Sequence, residues 1–102
     1  MSKFVTFNNI SVNPEYFKEF ESRFLGREKM LMPGCLTVKV LKPNMGNEYI
    51  IYSEWESEEI YQKWVTSEEF KKQHGKPTDR SIYSKPAYIE SFMIIDENNE
   101  GY

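Results

Sequence analysis

The chain contains one histidine, His74. An imidazole offers a neutral nitrogen to a metal, or a group that titrates near neutrality. One histidine holds a bare ion poorly, yet it suffices as the axial protein ligand of a haem iron. The plainer role is a surface histidine near a helix end, where the dipole favours its charged form. Trp64 lies ten residues upstream. A buried indole packs a core, and the same ring set beside a flat ligand shapes a pocket. The third residue is Asn8, an amide in the middle of a strand pattern. Asn forms strands poorly, and burying its amide without partners costs about 1–3 kcal/mol. Asn8 therefore has a partner, sits at an exposed edge, or faces a cavity.

Other reactive groups carry weaker signals. Cys35 is the single cysteine, so no internal disulfide can form, and it reads as a small apolar filler. Tyr83, Lys85 and Tyr88 border a Pro-containing loop and are available to meet ligand carboxylates, as are Arg23, Arg27, Lys76 and Arg80. The sequence contains no phosphate-cradling glycine loop, no zinc-type Cys/His spacing and no nucleophile elbow.

The elements that must hold these residues follow a β-α-β-β-α-β order. Residues Lys3 to Val12 alternate, with Phe4, Thr6, Asn8, Ile10 and Val12 on one face and Val5, Phe7, Asn9 and Ser11 on the other. Asn13-Pro14 predicts a helix start with Asn13 as N-cap. Phe17, Phe20 and Phe24 make its apolar stripe, and Gly26 is the stop. After Pro33-Gly34 a second strand runs from Leu36 to Leu41. A turn at 42–47 leads to a third strand, Glu48 to Trp55. Ser57 caps a second helix with Tyr61, Trp64 and Val65 on its buried side. Ser67 caps a restart that carries Phe70 and His74. Gly75 to Pro86 reads as a polar loop, Ala87 to Asp96 as the fourth strand, and the residues beyond as a loose tail.

This order predicts an α+β, ferredoxin-like fold with an antiparallel sheet and both helices on one face. The opposite face keeps apolar and aromatic groups, and a second copy of the chain is the economical cover, so a homodimer is expected. The 102 residues suit one domain spanning 1–102. A net charge of −3 and a pI near 5.2 argue against a nucleic-acid partner. No apolar run approaches the ~20 residues that span a bilayer. With no signal peptide visible at the N-terminus and one cysteine, the expected compartment is the cytoplasm.

At these residues the chain resembles a known family. The segments that carry the likeness are Val5-Thr6-Phe7-Asn8-Asn9-Ile10 through Glu21-Ser22-Arg23-Phe24, Pro33-Gly34 with the strand ending Val40-Leu41-Lys42-Pro43, and Glu54-Trp55-Glu56-Ser57-Glu58-Glu59. Trp64, the run Ser67-Glu68-Glu69-Phe70-Lys71-Lys72-Gln73-His74 and the strand from Ala87 to Asp96 complete it. They resemble the antibiotic-biosynthesis-monooxygenase superfamily. The coincidence of Asn8, Trp64 and His74 resembles the IsdG-like haem-degrading monooxygenases within it.

The resemblance implies a dimeric α+β barrel that binds haem as both substrate and oxygen-activating group. It implies O2 and an external electron donor, supplied by a reductase, with ring opening and release of iron. By resemblance His74 is the axial ligand of the haem iron, Asn8 lies on the distal side toward bound oxygen species, and Trp64 presses on the porphyrin. Two alternatives stay open: a haem-binding or haem-delivery protein without turnover, and a cofactor-free quinol-type monooxygenase. Gly75 and the loop that follows depart from the family pattern, which leaves the propionate contacts and the site of ring opening open.

Overall fold

A computed structural model of the chain describes residues 3–23, 34–74 and 80–97, and of Gln73, His74 and Arg80 the backbone only. Period-two patterning makes Phe4–Ser11 a strand, β1. Cys35–Leu41 forms β2, Glu48–Trp55 β3 and Tyr88–Met93 β4. All neighbouring pairs are antiparallel, in the order β2-β3-β1-β4. After a 3-10 turn at Pro14–Tyr16, helix α1 spans Phe17–Ser22. Helices α2, Glu58–Val65, and α3, Glu68–His74, follow β3. This is the ferredoxin-like α+β fold that the element order predicts. None of the described helices is long and apolar enough to cross a membrane.

The two faces of β1 divide as the alternation predicts. Phe4 meets Tyr61 of α2 at a ring-centroid distance of 5.4 Å, while Ile10 and Val12 pack with Phe20 of α1. The even-numbered residues therefore face the helices. Two apolar clusters form there, at opposite ends of β1. One gathers Ile10, Val12, Phe20, Tyr49 and Ile82; the other gathers Phe4, Trp55 and Trp64. On the opposite face Phe7 meets Tyr52 and Phe92, each at a centroid distance of 5.4 Å.

Helix ends follow local chemistry. Ser57 Oγ accepts from the Ile60 N–H at 3.3 Å, the expected cap. Ser67 Oγ accepts from the Phe70 N–H at 3.2 Å and also donates to the Trp64 carbonyl at 2.6 Å, coupling the end of α2 to the start of α3. Asn13 stands at the N-cap with Pro14 behind it, as expected, but without the side-chain bond. Its amide N–H donates to the Ser81 carbonyl at 2.7 Å. Gly34 has φ +86°, which favours glycine, and a Cβ there would overlap Ile60.

The fourth strand is shorter than predicted, and the second half of the predicted loop is not a loose polar segment. Residues Arg80–Ile82 make a 3-10 turn, and Ile82 is 1% exposed. The Asn13 N–H donates to the Ile82 carbonyl at 2.7 Å, and Tyr83 bridges Val12. Ile82 and Tyr83 carry apolar surface that the first cluster buries. Phe24 and Gly26 lie outside the described residues.

Candidate functional site

The strand register assembles the site. Asn8 of β1 stands opposite Ile51 of β3 and Ile89 of β4, and Ile51 stands opposite Val40 of β2. A row Val40–Ile51–Asn8–Ile89 thus crosses the whole sheet on the helix side, apolar except for one amide. It lies between the two core clusters, with Ile51 packed against the first. Val40 is 39% and Ile89 54% exposed although both face the helix layer, so the row is open at its two ends on the edge strands, while Ile51 and Asn8 between them are half-buried. Asn8 is half-buried, and its side-chain amide makes no hydrogen bond with the described residues. Of the possibilities the sequence leaves for this amide, an exposed edge is ruled out because β1 is an inner strand, and so is a partner among the described residues. Single-strand periodicity does not reveal the row, because it arises from the register of four strands.

Trp64 is 6% exposed and packs with Phe4 and Trp55 on the same side of the sheet as Asn8. Its ring meets Phe70 of α3 edge-on, with centroids 5.7 Å apart. Trp64 is therefore a core residue at one end of the strip over the Asn8 row. His74 is the last residue of α3, and its side chain lies outside those described.

The residues available for ligand carboxylates separate. Arg23 donates to the Tyr83 hydroxyl at 3.0 Å, at the end of α1. Lys85 and Tyr88 correct the expectation. The Tyr88 hydroxyl donates to Glu48 at 3.2 Å and Lys85 pairs with the same carboxylate at 3.8 Å, on the sheet face away from the helices. Arg27, Lys76 and the Arg80 side chain lie outside the described residues. Cys35 is half-buried in the Trp55 cluster, and burial raises its thiol pKa, which suits an inert filler. Among the described residues no group of His, Cys, Asp and Glu could hold a metal ion.

One anchor for α1 escaped the sequence reading. The Tyr49 hydroxyl donates to Glu21, and Lys42 pairs with the same carboxylate at 3.0 Å. The Tyr49 hydrogen bond, then Lys42, hold the Glu21 carboxyl below the ordinary glutamate range. Burial, then Glu21, push the Tyr49 hydroxyl pKa up. A lowered carboxyl pKa contributes stability above the ordinary glutamate range, lost as pH falls through the lowered value. Glu21→Gln should therefore lower the melting temperature at about pH 7 and by less at about pH 3, below the ordinary glutamate range, where protonation removes part of the charge's contribution. Thermal melts at the two pH values check this; an equal deficit at both would remove the carboxylate's charge from the account.

An open cleft of about 680 Å³ lies elsewhere, lined by Phe4, Ser57, Gln62, Lys63, Thr66 and Met93 among others. It includes neither Asn8 nor Trp64, and most of its wall is the solvated outer side of α2. The strip over the Asn8 row is the better candidate, because it combines apolar surface with an amide that has no partner among the described residues.

Known proteins resemble this arrangement at two levels. A stretch of 32 residues is 50% identical to the haem-degrading monooxygenases of Listeria welshimeri and Listeria innocua, covering 31% of this chain and 26% of each relative. The haem degrader MhuD from Mycobacterium tuberculosis, with two haems bound in its active site, is 24% identical with a TM-score of 0.77, over 94% of this chain and 99% of that one. A conserved protein from Methanosarcina mazei Go1 is 19% identical with a TM-score of 0.62, over 90% of this chain and 92% of that one. At these identities the two structural likenesses establish the fold. The family described as antibiotic biosynthesis monooxygenase matches residues 4–76, most of the chain, and the protein belongs to that family.

Proposed function

We infer that this chain binds haem over the Asn8 row and opens the ring with O2 and electrons from an external donor, releasing iron. The observation that carries the reading is the half-buried Asn8 amide, without a partner among the described residues, in an otherwise apolar row on the Trp64 side of the sheet. A flat macrocycle suits such a floor, since apolar side chains cover its face and one amide addresses a polar ligand above it. The names of the Listeria relatives and of MhuD point the same way. Haem, when bound, supplies the iron that activates oxygen and the ring that is oxidised.

The protein's own residues bind and orient. His74 at the end of α3 is the proposed iron ligand. The Asn8 amide would donate a hydrogen bond to a polar ligand of the bound group, and Trp64 would shape one end of its pocket. The sheet face bearing Phe7, Tyr52 and Phe92 is proposed to pack against a second copy. Residues 1–102 serve as one domain, and a reductase supplies the electrons.

The test is a haemin titration of the purified protein, then reductant and catalase in air, following the Soret band and trapping ferrous iron. Saturable binding with Soret loss and iron release is expected. A stable Soret band would make the protein a haem carrier, and no binding would turn the reading to a quinol-type monooxygenase. Asn8→Ala should still bind haemin but open the ring about 100-fold more slowly, the scale on which removal of one preorganised donor acts. An unchanged rate would take Asn8 out of the chemistry.

A further inference from the structure

Beside the Asn8 row runs a second row that is polar where its neighbours are apolar. Ser53 of β3 and Ser91 of β4 stand opposite Thr6 of β1, with Val38 of β2 beyond Ser53. On one side lies the row of Trp55, Phe4 and Met93, and on the other the row of Asn8. All three hydroxyl residues face the helix side, by the same alternation that places Phe4 and Ile10 there. Thr6 is 5% and Ser53 6% exposed, whereas Ser91 on the edge strand is exposed.

The hydrogen-bond accounting of these hydroxyls is open. Thr6 Oγ1 accepts from the Trp55 indole N–H at 3.4 Å, a long bond that leaves its own hydrogen without an acceptor among the described residues. Ser53 Oγ has no side-chain partner among them. Buried hydroxyls without protein partners are ordinarily satisfied by ordered water. Such a water needs two to four polar partners; Thr6, Ser53 and the Asn8 amide, two residues along the same strand, supply them. Directly opposed residues place their Cβ atoms about 4.5–5.5 Å apart, a spacing that one hydroxyl or one water spans.

We propose that the Ser53–Thr6–Ser91 row holds ordered water and conducts protons from solvent at the β4 edge to the Asn8 side of the strip. This rests on the haem reading. There, a monooxygenation takes one O2, two electrons from the external reductant and two protons from solvent. One oxygen atom enters the substrate and the other leaves as water. The row supplies the two protons by relay: each hydroxyl accepts a proton from one neighbour as it passes its own to the next, and ends unchanged. Thr6 and Ser53 are positioning residues that act through water.

The test uses the whole chain, first without ligand. Long-lived water contacts, read as water-to-protein nuclear Overhauser effects, are expected at the Thr6 methyl and should disappear in Ser53→Ala. Their absence from the wild-type protein overturns the row as a water site. Haemin is then titrated into wild type, Ser53→Ala, Thr6→Val and the conservative Thr6→Ser. Expected are unchanged haemin affinity and, in the first two variants, ring opening slower by about tenfold or more with an altered solvent deuterium isotope effect, within the range of positioned proton transfer. Thr6→Ser should restore both. Normal binding with wild-type rates and isotope effects overturns the relay but leaves the haem reading standing. No haemin binding by the wild type overturns the haem reading, and the relay's destination with it.

Discussion

On the proposed reading, replacing His74 with Ala should cost the haemin complex its iron ligand: the Soret band shifts, affinity falls and ring opening drops about 100-fold or more. Loss of a residue that merely orients a metal ligand typically costs 10–100-fold, and loss of the ligand itself should cost at least that. The substitution suits the test structurally. Alanine has the highest helix propensity, so α3, Glu68–His74, keeps its last turn. Its start is held by the Ser67 cap, which also ties it to the Trp64 carbonyl. The expected loss is therefore chemical, and exogenous imidazole should restore the original Soret position. Because His74 is the single histidine, no neighbouring imidazole can substitute for it. Normal spectra and turnover in the variant would remove His74 as the ligand.

The second large effect is on stability. Trp64→Ala should lower unfolding free energy by about 3–5 kcal/mol, the range for deleting a buried Trp or Phe side chain. For a domain of this size that is a fall in melting temperature of more than about 10 °C. Trp64 is 6% exposed, shares a cluster with Phe4 and Trp55, and contacts Phe70 of α3 edge-on at 5.7 Å. Truncation therefore leaves a cavity between α2, α3 and the sheet. Trp64→Phe keeps a ring against Phe70 and should hold most of the stability. If the indole also bears on haem, the Phe variant should change the spectrum or product pattern of the haemin complex while its melting temperature moves little. Comparing thermal melts with haemin spectra for both variants separates the two roles. A near-wild-type melt for Trp64→Ala would contradict its place in the core.

The sequence by itself determined much of this protein, because the relevant physics is local. Alternation along Phe4 to Val12 assigned each residue to a face, and the sheet confirms the assignment. The Ser57 and Ser67 caps lie where hydroxyls precede acidic first turns. Element order alone determined the ferredoxin-like α+β fold. The histidine, the strand amide and the buried tryptophan stood out by residue type, and their grouping by family resemblance.

What only the tertiary structure decided involves partners distant in the chain. Asn13 takes the cap position that the local sequence predicts, yet its amide binds Ser81, 68 residues away. Lys85 and Tyr88 sat beside the predicted loop, but register turned Tyr88 to the far face and Glu48 took both side chains. Ile82 lay in a polar stretch, and the Ile10–Phe20–Tyr49 cluster drew it into the core. The strip and its two rows required the register of four strands, with Val40, Ile51 and Ile89 brought level with Asn8 and Ser53 and Ser91 level with Thr6. Periodicity along one strand tells which face a side chain takes. Which side chains from other strands share its row is set by long-range pairing, and that is why the site's floor, unlike the residue that marks it, emerged only from the folded chain.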